Sequence, residues 1–371
     1  MSITPVRPSS PDEVQQLLRD TQTTVLPHGG HTKNALSTPP QAVTPLDMRG
    51  LSGILEYDPS EYTFTALAGT LVSEVQSTLA ENGQYLPCDP PFGTQGATLG
   101  GTIASGLSSS GRYRYGGVRD FLIGVRFVDG GGRLVVGGGK VVKNSAGFDF
   151  PKLLVGSLGR LAVLVEVTFK VFPSTEAQAT LRIDYPTIET AVDALQRAGG
   201  STLDMQALDL EVPSTLVIRV GGVAAGLRGR IDRVHSFLER DGEVLLDDQN
   251  YWSQNGEFQW RPSSSALVKV PLIPSIIPSL ERSLSDLPIV RRYSVGGNVA
   301  WLSPADEGAF GILAGVLKKH QLRGLRICSW EAGLTPNSDA PLFCGQPPLD
   351  EVFAERVRSA LDPQQRFLEL V

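Results

Sequence analysis

The stretch that decides the fold runs from Pro90 to Lys170 and begins PPFGTQGATLGGTIASGLSSSGRYRYGGVRDFLIGV. It ends KVVKNSAGFDFPKLLVGSLGRLAVLVEVTFK, and 18 of the 40 glycines of the chain fall between Gly93 and Gly159. Glycine inside a regular element costs about 0.5–1 kcal/mol relative to alanine. A backbone that accepts this cost so often needs positive φ angles or a close approach to a ligand. We interpret the stretch as a cradle for a phosphate-bearing cofactor.

Length and composition predict a soluble protein of two domains. Its 371 residues exceed one ordinary hydrophobic core. A net charge of −6 disfavours a nucleic-acid footprint, which requires a basic face. No run of about 18 uninterrupted apolar residues predicts a membrane-spanning helix, and the N-terminal sequence MSITPVRPSSPDEV lacks an apolar signal region. We therefore expect a cytoplasmic protein.

The cysteines and histidines argue against a metal centre. Cys88, Cys328 and Cys344 are far apart in the sequence and form no CxxC pair, which disfavours an iron–sulfur cluster or a cysteine-based zinc site in this chain. The four histidines form no HExxH or comparable spacing with carboxylates. We expect three buried free thiols and no bound metal.

The order of the predicted elements divides the chain into three parts. About 85 residues at the start read as strand–helix–strand units. From 174 to 330 the order strand–helix–strand–strand–helix–strand indicates a compact α+β module. The tail LDEVFAERVRSALDP is amphipathic and predicts a helix that ends before Pro363. The expected boundaries are 1–173 for the first domain, 174–340 for the module and 341–371 for a tail that returns to the first domain.

Two glycine-rich segments are typical of loops that bind an anion: HGGHTK (28–33) and GATLGGTIASG (96–106). Successive backbone N–H groups can form an anion-binding nest, and a helix that begins near Leu99 or Gly100 adds the positive end of its dipole. A diphosphate fits between the two turns, whereas either segment alone is equally an ordinary tight turn. The hydroxyls available to a phosphate belong to Thr32, Thr98 and Ser105.

The ordered set of motifs resembles a known flavoprotein family. A GGH-type loop is followed by PP-x5-ATLGG-x2-ASGL, VRDFLIGV, KN-x-AG-x-D and GSLG-x3-VLVEVTFKV. This order resembles the vanillyl-alcohol oxidase superfamily and, within it, the FAD-binding (E) subunits of bacterial glycolate oxidases. The resemblance implies an α+β fold, in which a two-subdomain PCMH-type FAD-binding domain precedes a ferredoxin-like α+β module. It is strong over 85–173, fair over 24–84 and weak over 290–368.

The resemblance also implies which residues bind FAD. The two glycine-rich turns are implied to line the pyrophosphate from opposite sides, so we expect Gly100→Val to abolish flavin retention by occupying the space of the ligand. The residues implied to bind the cofactor are His28, Gly29, Gly30, His31 and Thr32 in the first turn, Pro90, Thr98, Leu99, Gly100 and Gly101 opposite it, Ala104, Ser105 and Gly106 beside the flavin, and Asp149 and Val163, which complete the pocket.

Three roles stay open for His31. In several members of the superfamily a histidine after two glycines tethers the flavin ring through its 8α carbon, and a neutral imidazole is a competent nucleophile for such a bond. The glycolate oxidase E subunits usually have glycine at this position, so the chain departs from them here. A hydrogen bond to phosphate and an idle surface position are the alternatives.

The resemblance implies the FAD-binding subunit of a glycolate oxidase-like 2-hydroxy-acid dehydrogenase. Electrons would pass from the substrate through FAD to a partner, and the implied partners are a larger FAD-containing catalytic subunit and an iron–sulfur subunit. Any association with a membrane would then be through these partners. We identify no catalytic base, although Lys143 and Asn144 would face either the flavin or solvent. A non-catalytic electron-relay or scaffold subunit and a stand-alone FAD oxidase remain alternatives.

Overall fold

A computed structural model describes residues 5–37, 43–140, 148–329, 341–347 and 351–369. They form a first unit around the glycine-rich stretch and a second unit that covers it. In chain order the elements of the first unit are α1 (Pro11–Asp20), β1 (Val25–His28), β2 (Thr44–Asp47), β3 (Ile54–Asp58), β4 (Thr63–Leu67), α2 (Val72–Ala80), β5 (Gln84–Tyr85), α3 (Leu99–Ser105), α4 (Arg112–Tyr115), α5 (Val118–Phe121), β6 (Leu122–Val128), β7 (Leu134–Gly138), α6 (Phe150–Leu154), β8 (Val163–Lys170) and β9 (Phe172–Pro173).

The first unit contains a small parallel pair of strands and a larger antiparallel sheet. Strands β1 and β2 pair in parallel, and helix α1 packs Val14 and Leu18 into the core beneath them. Ser10 caps that helix by accepting a hydrogen bond from the Glu13 amide. The larger sheet has the order β3-β4-β8-β6-β7. Its central strand β8 is buried almost throughout, as its β-branched sequence predicts.

The second unit is a nine-stranded antiparallel sheet with helices. Its elements are β10 (Ala177–Asp184), α7 (Ile188–Gly199), β11 (Met205–Glu211), β12 (Thr215–Gly222), α8 (Ala224–Leu238), β13 (Glu243–Leu245), α9 (Gln249–Gly256), β14 (Leu267–Pro271), α10 (Ile277–Leu284), β15 (Ile289–Ser294), β16 (Val299–Pro304), α11 (Glu307–Lys319), β17 (Arg323–Cys328) and β18 (Phe343–Gly345). Helix α12 (Glu351–Leu361) follows in the tail.

The second unit contains the ferredoxin-like order of strands twice. Strands β13-β10-β12-β11 form one βαββαβ half, and β15-β16-β14-β17 form the other in mirrored order. The halves join where β11 pairs with β15. The sequence predicts one such module rather than two, because the halves share their topology and not a visible sequence period.

The two faces of this sheet have different partners. Along β16, Val299 and Trp301 belong to the core shared with the first unit, whereas Ala300 and Leu302 pack among the helices of the second unit. This alternation is the period of two that a strand imposes on its side chains. The second unit is therefore joined to the first through an apolar sheet face.

The tail lies against the first unit. Helix α12 ends at Leu361, two residues before Pro363, and the Asp362 carboxylate then accepts hydrogen bonds from the amides of Arg366 and Phe367. The Val25 amide of β1 donates to the Arg366 carbonyl at 2.7 Å. These contacts hold the tail against the first unit.

Across the residues that the structure describes, no helix has both the length and the apolar character needed to cross a bilayer. The same residues contain no group of three or more histidine, cysteine or carboxylate side chains suited to a metal ion. All three cysteines are buried free thiols, as expected.

A buried ion pair in the second unit generates a stability prediction. Glu281 is 7% exposed and accepts hydrogen bonds from the Arg291 guanidinium, at 2.7–2.9 Å, and from the Tyr293 hydroxyl. We expect Glu281→Gln to lower the free energy of unfolding by about 3 kcal/mol, because it leaves Arg291 buried without a counter-charge. Urea denaturation followed by tryptophan fluorescence would measure this loss.

The matched control removes one carboxylate from an exposed pair. Glu189 is joined to Arg282 at 3.0 Å, and their side chains are 52% and 66% exposed. We expect Glu189→Gln to change the free energy of unfolding by about 0.5 kcal/mol or less. Equal, small changes in both variants would contradict a structural role for Glu281.

Candidate functional site

The turn that follows β1 forms one wall of a cleft in the first unit. Residues 28–33 pass from the buried end of the strand into a single 3-10 turn at Asn34–Ser37. His31 has a φ of 54°, in the left-handed region where glycine is favoured. This backbone explains why glycine is common at the position in the E subunits that the sequence resembles.

The amides of this turn are free for a ligand. No hydrogen bond from the backbone N–H groups of residues 29–33 is found within the described part of the chain. Buried or half-buried amides normally have a partner. Consecutive unpaired amides at the wall of a cleft are therefore suited to an anionic group.

The second turn differs from the expectation that its amides also face the ligand. The amides of the first three residues of α3 donate to the Thr70 carbonyl at 3.0 Å, to the Ala68 carbonyl at 2.7 Å and to Thr98 Oγ1 at 3.2 Å. The helix starts beside the segment that leaves β4, so these donors are used within the protein. Among the described residues of the two segments, consecutive unpaired amides occur in the first turn, and the second contributes its surface and the Thr98 hydroxyl.

The glycines of the first turn permit contact with the second. A Cβ at Gly29 would lie 2.2 Å from Thr98 Oγ1, and one at Gly30 would lie 1.8 Å from the Gly96 carbonyl oxygen. Both distances are far inside van der Waals contact. The two turns thus touch each other directly, and side chains at these positions would force them apart.

Gly100 has a different role from the one expected. Its Cβ position points away from the cleft and lies 3.0 Å from the Ala68 carbonyl oxygen. The glycine lets α3 approach the end of β4 closely. A valine here would displace the helix and would not occupy ligand space, so the physical reason given for Gly100→Val in the sequence analysis is wrong.

The structure gathers nine of the residues predicted from the sequence at one cleft. Leu158 and Gly159, in the loop before β8, line it together with Lys33. The predicted residues that line it are His28, Gly29, Gly30, His31, Thr32, Thr98, Gly101, Ala104 and Ser105.

The remaining predicted residues lie elsewhere. Leu99 and Val163 are buried in the apolar core, and Gly106 ends α3 against the backbone of Gly156. Pro90 lines a separate cleft of about 480 Å³ between the two units. Asp149 caps α6 and pairs with Lys152 at 2.8 Å. Lys143 and Asn144 lie outside the described residues.

The two histidines of the cleft are neutral bases. The His28 and His31 rings have centroids 4.1 Å apart. Burial lowers the pKa of His28, and burial together with the neighbouring His28 and Arg49 lowers the pKa of His31 to about 4. His28 Nε2 is buried without a partner among the described residues. Neutral imidazoles can hydrogen-bond to a ligand or act as nucleophiles.

Lys33 is the residue of this cleft that sequence reasoning did not assign. It is 6% exposed, and burial lowers its pKa to about 8. The signal available was its position, directly after the HGGHT turn, since a lysine next to an amide nest is a familiar phosphate ligand. Only the tertiary structure shows that the side chain is buried.

The second unit contacts the first turn directly. Cys328, at the end of β17, donates a weak hydrogen bond to the Thr32 carbonyl at 3.6 Å. The Ser329 amide donates to Asn34 Oδ1 at 2.8 Å. The conformation of the first turn is therefore coupled to the docking of the second unit.

The low pKa of His31 generates a pH prediction. Between about pH 6.5 and pH 4 the unfolded chain binds a proton at His31 that the folded chain excludes. The free energy of unfolding should therefore fall as the pH is lowered through this window. We expect His31→Asn, whose side chain tolerates the left-handed backbone, to reduce this dependence. Urea unfolding of flavin-free protein at pH 7, 5.5 and 4.5 measures it, and identical slopes in both proteins would refute the prediction.

Comparisons with known proteins agree with this geometry. Residues 5–138 match the model of the FAD binding domain family. The chain is 32% identical to glycolate oxidase subunit GlcE of Escherichia coli (strain K12) over 95% of its length and 93% of that protein. It is 28% identical to D-lactate dehydrogenase of Archaeoglobus fulgidus over 65% of its length, but it spans only 52% of that relative.

A solved structure of alkyldihydroxyacetonephosphate synthase superposes with a TM-score of 0.73 over 98% of this chain and 75% of that one, at 16% identity. This likeness confirms the α+β, PCMH-type fold that the sequence predicts. The residues present also fit the cofactor, since an unpaired row of amides, a buried lysine and neutral imidazoles meet at one cleft. The chain belongs to the family of FAD-binding oxidoreductases that includes glycolate oxidase subunit GlcE, and its cofactor is FAD.

Proposed function

We propose that this chain is the FAD-binding subunit of a cytoplasmic, glycolate oxidase-like 2-hydroxy-acid dehydrogenase, which passes electrons from its substrate to a partner. The observation that carries the proposal is the 32% identity to a glycolate oxidase subunit over 95% of the chain. The D-lactate dehydrogenase match supports the class of substrate, because lactate and glycolate are both 2-hydroxy acids.

The residues of the cleft suggest how the cofactor is held. The amides of residues 29–32 and the Thr98 and Ser105 hydroxyls would bind the diphosphate, and Ala104 would lie beside the flavin. The cleft has a volume of about 60 Å³, which holds on the order of five water molecules. It would therefore hold one end of the dinucleotide, and the rest would extend beyond it. Bound flavin supplies the acceptor for a hydride, and the protein supplies orientation and electrostatics.

The proposed division of the chain follows the same contacts. Residues 1–173 and the tail 341–371 would form the cofactor domain, because Phe367 is buried in the core beneath β1. Residues 174–340 would form the module that meets substrate or partner. Strand β18 lies beyond residue 340 and pairs with β17, so the end of that module extends slightly past the proposed boundary.

A second candidate, a subunit that relays electrons without oxidising substrate itself, has its own support. The residue that would serve as a base for substrate oxidation is Asp209, which faces a cavity between the units. Burial raises the pKa of Asp209 to about 7, which suits a base. Its carboxylate is already hydrogen-bonded to the Ser110 hydroxyl and the Val295 amide. The cavity has a volume of about 10 Å³, enough for one water molecule at most. A substrate would reach Asp209 only if the two units moved apart, so the closed cavity supports the relay.

The partners are likewise a proposal. A larger FAD-containing subunit and an iron–sulfur subunit would supply the rest of the electron path. Two relatives are themselves named as subunits, glycolate oxidase subunit GlcE and the glycolate oxidase subunit GlcD of Bacillus subtilis (strain 168), which supports a protein that acts as part of a complex.

Anaerobic addition of glycolate or D-lactate to the purified, FAD-loaded chain tests the proposal. We expect the flavin absorbance at ~450 nm to bleach. The bleaching should be complete when the partner subunits are present. Bleaching only with partners would favour the relay, and peroxide formation in air by the chain alone would favour the stand-alone oxidase. No bleaching under either condition, with either acid, would refute 2-hydroxy-acid oxidation. Acid precipitation of the same sample would separate tethered from free flavin and so decide the role of His31.

A glycine substitution tests the cleft itself. We expect Gly30→Ala to lose most bound FAD, because its Cβ would lie 1.8 Å from the Gly96 carbonyl oxygen and would separate the two turns. The control is Gly229→Ala in α8, where the added Cβ meets nothing within 4 Å and should stabilise the helix by about 0.5–1 kcal/mol. Flavin content per chain and circular dichroism would be measured for both. Full flavin retention in Gly30→Ala would show that the turns need not touch.

A further inference from the structure

We propose that Lys33 is the residue that makes this cleft select a phosphate-bearing flavin, by supplying the positive charge that pairs with the diphosphate of FAD. The inference rests on the placement of the diphosphate at residues 28–33 in the proposed function. It does not depend on which substrate the enzyme oxidises.

The Lys33 ammonium is buried without a carboxylate partner. Its Nζ donates to Thr32 Oγ1 at 3.0 Å and lies 5.4 Å from the centroid of the Phe92 ring. Among the described residues, no carboxylate oxygen lies within 4 Å of it, whereas the half-buried guanidinium groups of Arg219 and Arg291 each have one. Burying an ion without a counter-ion is costly. The charge is thus held in place for an anion that enters the cleft.

The other basic groups near the cleft do not supply this charge. Burial keeps the His28 and His31 imidazoles neutral above about pH 6.5. Arg49 is joined to Asp47 at 2.8 Å. In the described part of the cleft, the net positive charge at neutral pH therefore comes from Lys33, next to the unpaired amides of residues 29–32.

The surroundings of Lys33 explain why its charge depends on pH near neutrality. Burial lowers its pKa to about 8, while the negative charge of Glu257, in the second unit, favours the ammonium from beyond ion-pair distance. Burial also raises the pKa of the Cys328 thiol, so it is neutral at pH 7. The titratable groups that face Lys33 are His28 and His31 in its own turn and Cys328 and Glu257 across the interface.

Linkage fixes the direction of the pH effect. A bound phosphate raises the pKa of Lys33, because it stabilises the ammonium. Below about pH 8 the free site is already protonated and the FAD affinity is independent of this group. Above it, binding must take up a proton, so the affinity falls by up to about tenfold per pH unit. Riboflavin, which has no phosphate, should show no such dependence.

The experiment compares FAD with riboflavin on the full, flavin-stripped chain. Wild type, Lys33→Met and Lys170→Met would be titrated with each ligand at pH 7 and followed by quenching of flavin fluorescence. Lys170 is an exposed lysine at the end of β8, so it serves as the matched control. We expect Lys33→Met to weaken FAD binding by about 10- to 100-fold, the strength of a charge-assisted hydrogen bond. Riboflavin affinity should stay within about twofold, and Lys170→Met should bind both ligands as wild type does.

Thermal melting of the flavin-free proteins provides the second measurement. Removal of an unpaired buried charge should leave the melting temperature of flavin-free Lys33→Met equal to or above that of wild type. Added FAD should raise the melting temperature of Lys33→Met by less than it raises that of wild type. Above pH 8 the FAD dissociation constant of wild type should rise and that of Lys33→Met should not.

Three results would overturn the proposal: unchanged FAD affinity in Lys33→Met, an equal loss for riboflavin and FAD, or a pH-independent affinity in wild type up to pH 9.5. The first and third would mean that the ammonium meets no phosphate, and the second that Lys33 only supports the turn. None of these readouts uses a substrate, so a failure of 2-hydroxy-acid oxidation would be recognised separately.

Discussion

The contact between two turns, at Gly30 and Gly96, is the constraint on which the cleft depends. These residues are far apart in sequence, yet there is no room for a Cβ between their backbones. Backbone so close to backbone excludes side chains that could cover the amides of residues 29–33. The unpaired amides are a cost that a folded chain normally avoids. Their presence at a cleft, beside neutral imidazoles and a buried lysine, makes this part of the first unit suited to an anion.

The second unit shapes the same cleft from outside. Its two βαββαβ halves form one continuous sheet, and the half that contains β14–β17 packs Leu267, Val299 and Trp301 onto the first unit. The end of β17 then meets the first turn through Cys328 and Ser329. The conformation of the first turn and the position of the second unit are therefore coupled through a short stretch of backbone.

Particular residues show how far sequence reasoning reached into the site. The HGGHT turn was recognisable because consecutive glycines beside polar residues have few structural uses, and the structure places all of its members at the cleft. Thr98 and Ser105 were recognisable from the same pattern. Leu99, Gly100 and Val163 belong to the same motifs but point elsewhere, since a motif preserves the packing behind a ligand as well as the residues that touch it. Lys33 was visible in the sequence, but its burial was not.

The sequence by itself determined that the HGGHT turn is suited to an anion, because glycine spacing acts over a few residues. Its ordered motifs implied the PCMH-type fold and FAD through their resemblance to a flavoprotein family. Only the tertiary structure decided which donors remain free. The amides of α3 are used by carbonyls that leave β4, and this pairing depends on how the helix sits against the sheet. It also decided that Lys33 lacks a carboxylate and that the second unit is doubled. These properties arise from contacts between segments distant in the chain, and no local pattern encodes them.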